Sequence, residues 1–272
     1  MSTQHPAIPV LMYHHVNAAG NFINVGPETF ELQMRYLKEK GYTAVHAGEF
    51  SGILSGKAAA PRKPVMITFD DGWLDNWVFA FPVLKQYGMK AVVFLITSRV
   101  APGGKRPRSD EGFTAALPTH RESQSIIENG RADEVMLSWD EVAEMKDSGL
   151  VEFHSHTHTH RRWDKLMPHR SERNEAMRDD LQAAKELLAG KGLGDSCLCW
   201  PQGFYDDDYL SLAASLGYTM MFTTEPGTND SAETLHQIKR IVIGNIGTVS
   251  FAKKLFIYSR PWLSRAYLTY FK

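Results

Sequence analysis

Four of the 11 histidines fall within residues 154–160, and this cluster is the strongest chemical signal in the sequence. Imidazole is a common metal ligand, and the local backbone decides which of the four could share one ion. On a strand, residues four apart are separated by roughly 13 Å, whereas in a turn or helix they come within about 6 Å. A His156/His160 pair therefore requires the chain to leave the strand near His156. A His154/His156 pair requires the strand to continue.

A second signal is the adjacent pair Asp70 and Asp71, which comes directly after the apolar run 64–69. In parallel α/β folds, catalytic groups gather where the strands end. Two neighbouring carboxylates repel each other unless a cation or a shared proton relieves them. The pair therefore favours one carboxylate as a metal ligand and the other as a general base, although Asp-Asp-Gly alone also suits a turn.

Two more histidines, His14 and His15, follow the apolar run 8–13 in the same way. If that strand lies in the same sheet, one of these imidazoles would project at the same edge as Asp70. A histidine placed there could act as a general acid, because its ordinary pKa lies close to neutral pH. The alternative at this point is a histidine that only hydrogen-bonds at a strand end.

The elements that must position these residues alternate along nearly the whole chain. Short apolar runs predict buried strands, and the segments between them predict helices. Such alternation is typical of parallel strands with helices packed outside them, in a barrel or a doubly wound sheet. The predicted strands are 8–13, 64–69, 91–96, one from 151, one through Leu198 to Trp200, 220–222 and 238–243, and the predicted helices are 27–40, one from Gly72 to Tyr87, 138–149, 171–189 and 206–216.

Two segments interrupt this alternation. Residues 99–135 are rich in glycine, proline and charge, and a connection of that length predicts a lid, a binding loop, a disordered segment or a tolerated surface insertion. Residues 251–272 interleave basic and aromatic side chains. That pattern predicts either contact with a membrane surface or a last helix that packs on the rest of the domain.

Composition excludes several classes of protein. Thirty Lys+Arg against 31 Asp+Glu give a formal net charge of −1, which argues against nucleic acid as a partner because phosphate binding needs a basic excess. No apolar run approaches the roughly 20 residues that span a bilayer, and residues 1–6 lack the pattern of a secretory signal. Cys197 and Cys199 are the only cysteines and are too close along a predicted strand to bridge without distortion. We therefore expect a reduced, cytoplasmic location.

Two sequence motifs carry a family resemblance. Residues 68–72 (Thr-Phe-Asp-Asp-Gly) and 156–160 (His-Thr-His-Thr-His) resemble the first two motifs of the NodB-type polysaccharide deacetylases, carbohydrate esterase family four. The resemblance covers residues 8–243 and implies an α/β fold, a single-domain distorted (β/α) barrel. We accordingly expect a barrel over 1–250 with an insertion at 99–135, followed by a basic aromatic segment at 251–272.

The resemblance also implies the roles of individual residues. It makes Asp70 the catalytic base of a metal-dependent hydrolase, with one divalent ion in the site. Zn²⁺ is the expected ion, with Ni²⁺ and Co²⁺ as alternatives. The implied metal ligands are Asp71, His156 and His160.

Two departures from the family pattern affect this site. Cys199 stands where the third motif usually begins with an arginine that braces the catalytic aspartate. Gln202 replaces the usual aromatic residue beside a backbone N–H of the oxyanion hole, and that N–H survives any substitution except proline. The bracing of Asp70 is therefore the part of the site that the sequence leaves open.

The family's late leucine–histidine motif is also missing, but residues 11–14 (Leu-Met-Tyr-His) resemble a permuted version of it. Together with residues 224–227 and 238–241, this arrangement resembles the branch that contains poly-N-acetylglucosamine deacetylases. It implies His14 as the general acid, with His15 as second choice. Arg240 would supply positive charge near the site or take part in an ordinary salt bridge.

The function implied by the resemblance is hydrolysis of N-acetyl groups on a GlcNAc-containing polysaccharide or lipid-linked glycan precursor, with release of acetate. We expect such a substrate at the inner face of the cytoplasmic membrane, where residues 251–272 would make peripheral contact. Two alternatives stay open. One is an amidohydrolase-type metal hydrolase that uses His154 and His156, and the other is a non-catalytic carbohydrate-binding barrel.

Overall fold

A computed structural model describes residues 6–18 and 23–270, so the last two residues of the predicted segment 251–272 lie outside the described part. The predicted alternation of strands and helices is present throughout. Its strands are β1 (Val10–Tyr13), β2 (His15–Val16), β3 (Asn24–Val25), β4 (Thr43–Ala44), β5 (Pro64–Phe69), β6 (Ala91–Leu95), β7 (Val151–Ser155), β8 (Cys197–Cys199), β9 (Met220–Phe222) and β10 (Ile241–Val242).

The helices pack around these strands and connect most of them. Single turns of 3₁₀ helix and a π-helical stretch before α3 occur between the longer elements. The α-helices are α1 (Pro27–Glu39), α2 (Ala47–Leu54), α3 (Phe81–Tyr87), α4 (His120–Glu128), α5 (Trp139–Asp147), α6 (Trp163–Leu166), α7 (Arg170–Gly190), α8 (Asp207–Ser215), α9 (Thr248–Tyr258) and α10 (Pro261–Tyr270).

The main sheet is parallel and has the strand order β10-β1-β5-β6-β7-β8-β9, with β4 added beside β5. Its two outer strands approach each other through the segment that leads into β10, because Phe222 of β9 forms a parallel bridge with Ile238. The sheet thus curls into a barrel whose last joint is a single bridge. This confirms the predicted distorted (β/α) barrel.

Side chains alternate between the barrel interior and the surrounding helices, as the period of two in a strand requires. One apolar cluster fills the interior and includes Met66, Phe94 and Phe222. A larger cluster joins the outer face of the sheet to the helices. The interior series of β5 runs through Met66 and Thr68 to Asp70, and that of β7 runs through Glu152 and His154 to His156.

The two segments that interrupt the alternation both contain helices. The 99–135 insertion includes α4 and two short turns of 3₁₀ helix, at 109–111 and 132–134. The predicted boundary at residue 250 falls inside α9, where Phe251 and Leu255 are fully buried in the outer core. Residues 251–270 therefore belong to the packed domain, and only the outward faces of α9 and α10 are exposed.

Candidate active site

A cavity of about 420 Å³ opens where the strands of the barrel end. Its wall combines the motif residues with side chains from the 99–135 insertion. The size suits one or two sugar rings, since ligand cavities start at about 300 Å³. The lining residues are His14, Ile23, Asp70, Asp71, Arg99, His120, Gln124, His156, His160, Trp200, Gln202 and Thr224.

Three of the predicted residues form a candidate metal site in this cavity. The ligand atoms of Asp71, His156 and His160 all lie within 4.8 Å of one another. Oδ1 of Asp71 is 3.5 Å from Nε2 of His156 and 3.6 Å from Nε2 of His160. Ligands at zinc–nitrogen and zinc–oxygen distances in a tetrahedron are about 3.4 Å apart. The three side chains are therefore grouped closely enough to hold one divalent ion.

Hydrogen bonds fix the orientation of two of these ligands, His156 and Asp71. Nδ1 of His156 donates to the carbonyl oxygen of Cys199 at 2.8 Å, which leaves the lone pair of Nε2 facing Asp71. Trp73 donates its indole N–H to Oδ2 of Asp71 at 2.9 Å. Burial and then the neighbouring His156 lower the pKa of His160 to about 4, so its imidazole is neutral and able to bind metal.

The chain leaves the strand where a shared ion requires it to. Strand β7 ends at Ser155, and Thr157 and His160 adopt left-handed backbone conformations with φ of 63° and 60°. The resulting turn places the rings of His156 and His160 4.8 Å apart. The predicted condition for a His156/His160 pair is met.

Asp180 of α7 holds this turn in place, and the sequence analysis did not identify it. Its buried carboxylate accepts hydrogen bonds from the backbone N–H groups of His158 and Thr159 at 2.7 and 2.8 Å. It also accepts from the hydroxyl of Thr159 at 2.6 Å and from the indole of Trp163 at 2.7 Å. Four donors thus converge on one carboxylate that touches no metal ligand.

Arg240 braces Asp70 and takes over the task of the missing motif arginine. Its guanidinium is fully buried and donates to both carboxylate oxygens of Asp70, at 2.6 and 2.8 Å. Burial alone would raise the pKa of Asp70, but the charge of Arg240, followed by that of His14, holds it below its usual range. Arg240 also lies 3.0 Å from the thiol of Cys199. A positive charge therefore occupies the expected place although it comes from another part of the chain.

Asp70, His156 and Cys199 form a second group of close ligand atoms. Both oxygens of Asp70 are already bonded to the Arg240 cation, which would repel a metal ion. Burial also raises the pKa of the Cys199 thiol well above its usual value, so the thiolate that a metal needs does not form. The Asp71 group is accordingly the better metal site.

The structure separates the two candidate acids. His14 lines the cavity, and its Nε2 lies 3.7 Å from Oδ2 of Asp70. His15 is buried outside the cavity wall, where its Nδ1 donates to Asp75 at 2.6 Å. Only His14 is therefore placed where a leaving group could receive a proton.

The amidohydrolase alternative does not fit this geometry. His154 is buried in the barrel interior below His156, against Glu152 at 3.6 Å. Among the residues that the structure describes, it joins neither group of close ligand atoms. The imidazole of His154 lies too deep in the barrel interior to share an ion with His156 at the mouth of the barrel, so we reject this alternative.

The insertion supplies a wall of the site, as one of the alternatives for this segment, a binding loop, predicted. Arg99, His120 and Gln124 line the cavity together with Trp200 and Gln202, which follow β8. One terminal nitrogen of Arg99 is buried without a hydrogen-bond partner. The length and polarity of the insertion were visible in the sequence, but nothing indicated which of its side chains turn inward.

Comparisons with known proteins agree with this fold and site. A parallel (β/α) barrel with paired aspartates and histidines at the strand ends defines a barrel hydrolase. The family model described as polysaccharide deacetylase matches residues 57–221, and the chain belongs to this family. The predicted family and enzyme class, a carbohydrate deacetylase, are therefore confirmed.

Two curated relatives and one solved structure illustrate the likeness. A putative polysaccharide deacetylase of Bacillus subtilis strain 168, YxkH, is 29% identical over 249 residues, which are 89% of this chain and 73% of the relative. A poly-β-1,6-N-acetyl-D-glucosamine N-deacetylase of Staphylococcus aureus strain N315 is 27% identical over 263 residues, 86% of this chain and 78% of the relative. The Streptococcus pyogenes deacetylase PplD, solved with acetate, superposes with a TM-score of 0.70 at 25% identity and covers 94% of this chain and 100% of that one.

Proposed function

We propose that this protein is a metal-dependent N-deacetylase that hydrolyses acetamido groups on GlcNAc-containing glycans and releases acetate. One observation carries the proposal. A braced carboxylate, three converging metal ligands and an accessible imidazole line the same cavity. The non-catalytic alternative rested on the loss of the bracing arginine, and Arg240 removes that reason.

The donor set of Asp71, His156 and His160 suits a divalent ion, and two imidazoles with one carboxylate favour zinc, with nickel or cobalt as alternatives. Such an ion, when bound, polarises the amide carbonyl and lowers the pKa of water. The hydrogen bonds from His156 to the Cys199 carbonyl and from Trp73 to Asp71 orient the ligands.

The remaining chemistry belongs to Asp70 and His14. Asp70 accepts the proton of the attacking water, a role typically worth about 10²–10⁴ in rate. Because Arg240 keeps the pKa of Asp70 low, the carboxylate readily gives that proton up again. Burial lowers the pKa of His14, so its imidazole starts neutral. Its Nε2 lies 3.7 Å from Oδ2 of Asp70, so one bridging water would relay the proton between them. His14 then protonates the leaving nitrogen, and we assign stabilisation of the oxyanion to the backbone N–H of Gln202, which lines the same cavity.

The substrate class is supported by the relatives. The Staphylococcus aureus relative is named for deacetylation of poly-β-1,6-N-acetyl-D-glucosamine, and the match covers most of both chains. We therefore propose a β-linked GlcNAc polymer as substrate. A lipid-linked precursor that carries the same acetamido sugar is the second member of this substrate class.

Metal content and acetate release test the proposal together. We expect purified protein reconstituted with zinc to hold about one ion per chain and to release acetate from GlcNAc oligomers. His160→Ala should lose the ion and lower acetate release by at least about 10²-fold, because a ligand position is gone. His158→Ala is the matched control: it lies in the same turn, but its ring bonds Thr97 rather than facing Asp71.

The readouts separate two ways of failing. Zinc bound without acetate release from any GlcNAc oligomer would reject the substrate class and keep the metal site. Equal zinc content in His160→Ala and wild type would reject the site itself.

We also propose that the outward face of α9 and α10 contacts an anionic membrane surface. Among the described residues, four of the six exposed large apolar side chains lie on these helices: Val249, Phe256, Trp262 and Tyr270. Residues 234–272 contain seven Lys and Arg and no Asp or Glu. No helix in the described part of the chain is long and apolar enough to cross a bilayer. The predicted cytoplasmic location stays a prediction.

A basic cleft of about 690 Å³ lies beside this face and favours anionic lipid. Lys63, Lys253 and Arg260 line it together with aromatic rings, and no carboxylate does so within the described residues. The cleft reaches Pro64 at the start of β5, whereas Asp70 follows the end of that strand, about 20 Å away. The catalytic mouth would thus face away from the lipid and reach glycan that extends from it.

Vesicle partition tests this contact. We expect Lys253→Glu/Arg260→Glu to bind vesicles with anionic phospholipid at least about tenfold more weakly than wild type, since each basic residue near such a surface contributes about 1 kcal/mol. Acetate release from soluble oligomers should not change. Lys165→Glu/Arg178→Glu, on α6 and α7, alters net charge equally and should bind like wild type. Partition that is independent of anionic lipid would contradict the proposal.

A further inference from the structure

A chain of three polar side chains runs from the buried face of the barrel mouth into the catalytic cavity. His120, the first residue of α4, lines the cavity, and its Nδ1 lies 3.1 Å from Nε2 of His15. Nδ1 of His15 lies 2.6 Å from Oδ2 of Asp75. Neither His15 nor Asp75 touches the cavity, so the chain links a buried pair to one ring in the wall.

The buried end of this chain is held rigidly. The carboxylate of Asp75 also accepts hydrogen bonds from the backbone N–H of Val16 and from the side-chain amides of Asn17 and Asn76, at 3.0–3.2 Å. The ring of His15 stacks on Trp73 with centroids 4.2 Å apart. Trp73 in turn donates to the metal ligand Asp71. The position of His15 is thereby fixed relative to the catalytic groups.

The hydrogen bonds determine which nitrogen carries each proton. An ionised Asp75 can only accept, so His15 must donate from Nδ1. In a neutral His15 the other nitrogen, Nε2, is then an acceptor, and His120 must donate to it from Nδ1. The second nitrogen of His120, Nε2, is left as a hydrogen-bond acceptor.

In this arrangement each ring carries one proton, and every close contact of the chain joins one donor to one acceptor. Burial, followed by the neighbouring His15, lowers the pKa of His120. The tautomer with an unprotonated Nε2 on His120 follows from this neutral arrangement.

We propose that His120 is a substrate-binding residue whose Nε2 accepts a hydrogen bond from a hydroxyl or N–H group of the glycan, and that His15 and Asp75 are positioning residues that fix its tautomer. This inference rests on the proposed deacetylase function, since it concerns the same cavity. It assigns the 99–135 insertion a role in substrate recognition, because that segment carries His120. Glycans without a donor group at this place would bind less well.

Nitrogen NMR of the zinc-loaded, ¹⁵N-labelled full chain tests the tautomer without any assay of activity. We expect His120 to show a protonated Nδ1 and an unprotonated, pyridine-like Nε2, with His120→Gln used to assign the signals. Asp75→Asn and His15→Gln should remove that preference and give mixed tautomers of His120. A protonated Nε2 on His120 in the wild-type protein would overturn the proposal.

Kinetics with GlcNAc oligomers test the binding role. We expect His120→Ala to raise KM about three- to tenfold, the worth of one hydrogen bond, with kcat changed less than about twofold. His120→Gln, whose carbonyl oxygen can replace the acceptor, should recover most of the lost affinity. An unchanged KM in His120→Ala, or a loss confined to kcat, would contradict substrate binding.

The two arms distinguish the possible failures. Absence of acetate release by the wild-type protein would count against the proposed function, while the NMR result still decides the tautomer. Normal acetate release together with a wild-type KM in His120→Ala would reject this inference alone.

Discussion

Replacing Arg240 by Met should abolish most of the deacetylase activity and destabilise the protein by about 3–5 kcal/mol, which is the usual cost of breaking a buried ion pair on one side. Asp70 is 2% exposed and Arg240 0%, so water would be a poor replacement for the lost partner. The carboxylate would take up a proton or swing away from the metal site. Either response removes the general base, and acetate release should fall by about 10²–10⁴-fold.

The pH dependence of this variant has a defined sign. Arg240 outweighs the effect of burial and holds the pKa of Asp70 below its ordinary value. The pair therefore stabilises the fold above the unfolded-state pKa of about 3.9, and this contribution disappears as the pH falls through the lower folded-state pKa. In Arg240→Met the pKa of Asp70 rises, so the acidic limb of any residual activity should move to higher pH.

Two further variants isolate the pair. Asp70→Asn/Arg240→Met should recover part of the stability, because it leaves no unpaired buried charge, yet it should stay inactive. Arg240→Lys keeps the charge but cannot bond both oxygens in parallel, so it should fall between wild type and Arg240→Met. Denaturant unfolding and acetate release measure these effects. Wild-type stability and pH profile in Arg240→Met would refute the bracing role.

How much of the fold could be predicted depended on how strongly each element is marked locally. Strand β5 was predicted with its exact bounds because an uninterrupted apolar run lies between Pro64 and the aspartate pair. Helix α2 was missed because it has only eight residues and contains Gly48 and Gly52, which disfavour helix. The C-terminal helices carry basic and aromatic residues, and that composition left open whether the segment packs on the domain, which the buried Phe251 and Leu255 show that it does.

In the candidate site, too, the residues marked by local motifs were predicted and their distant partners were not. The candidate metal ligands and Asp70 lie in short motifs, and the family resemblance of those motifs selected them, whereas spacing alone left a His154/His156 pair open. The partners that hold them are distant in sequence: Arg240 is 170 residues from Asp70, and Asp180 is 22 residues from His158. A single sequence does not reveal such pairs, because the contact depends on how α7 and the segment before β10 pack. For Arg240 the sequence indicated only a nearby positive charge or an ordinary salt bridge, without Asp70 as the partner.

Replacing Asp180 by Ala should weaken zinc binding about 10–100-fold, the usual effect of removing a group that orients a metal ligand. Thr157 and His160 are held in left-handed backbone conformations that cost of order 1 kcal/mol each for residues other than glycine. Asp180 opposes the relaxation of this turn by bonding the N–H groups of His158 and Thr159. Without it, His160 would spend less time within reach of Asp71.

Asp179→Ala provides the matched control, because it removes a neighbouring, exposed carboxylate from the same helix. Chelator competition should give this variant the zinc affinity of the wild type, and Asp180→Ala alone should need excess zinc for acetate release. Since Asp180 touches no metal ligand, saturating zinc should restore much of the activity, which it cannot do in His160→Ala. Equal zinc affinity in the two aspartate variants would mean that the turn keeps its shape unaided, and that His160 is held by packing alone.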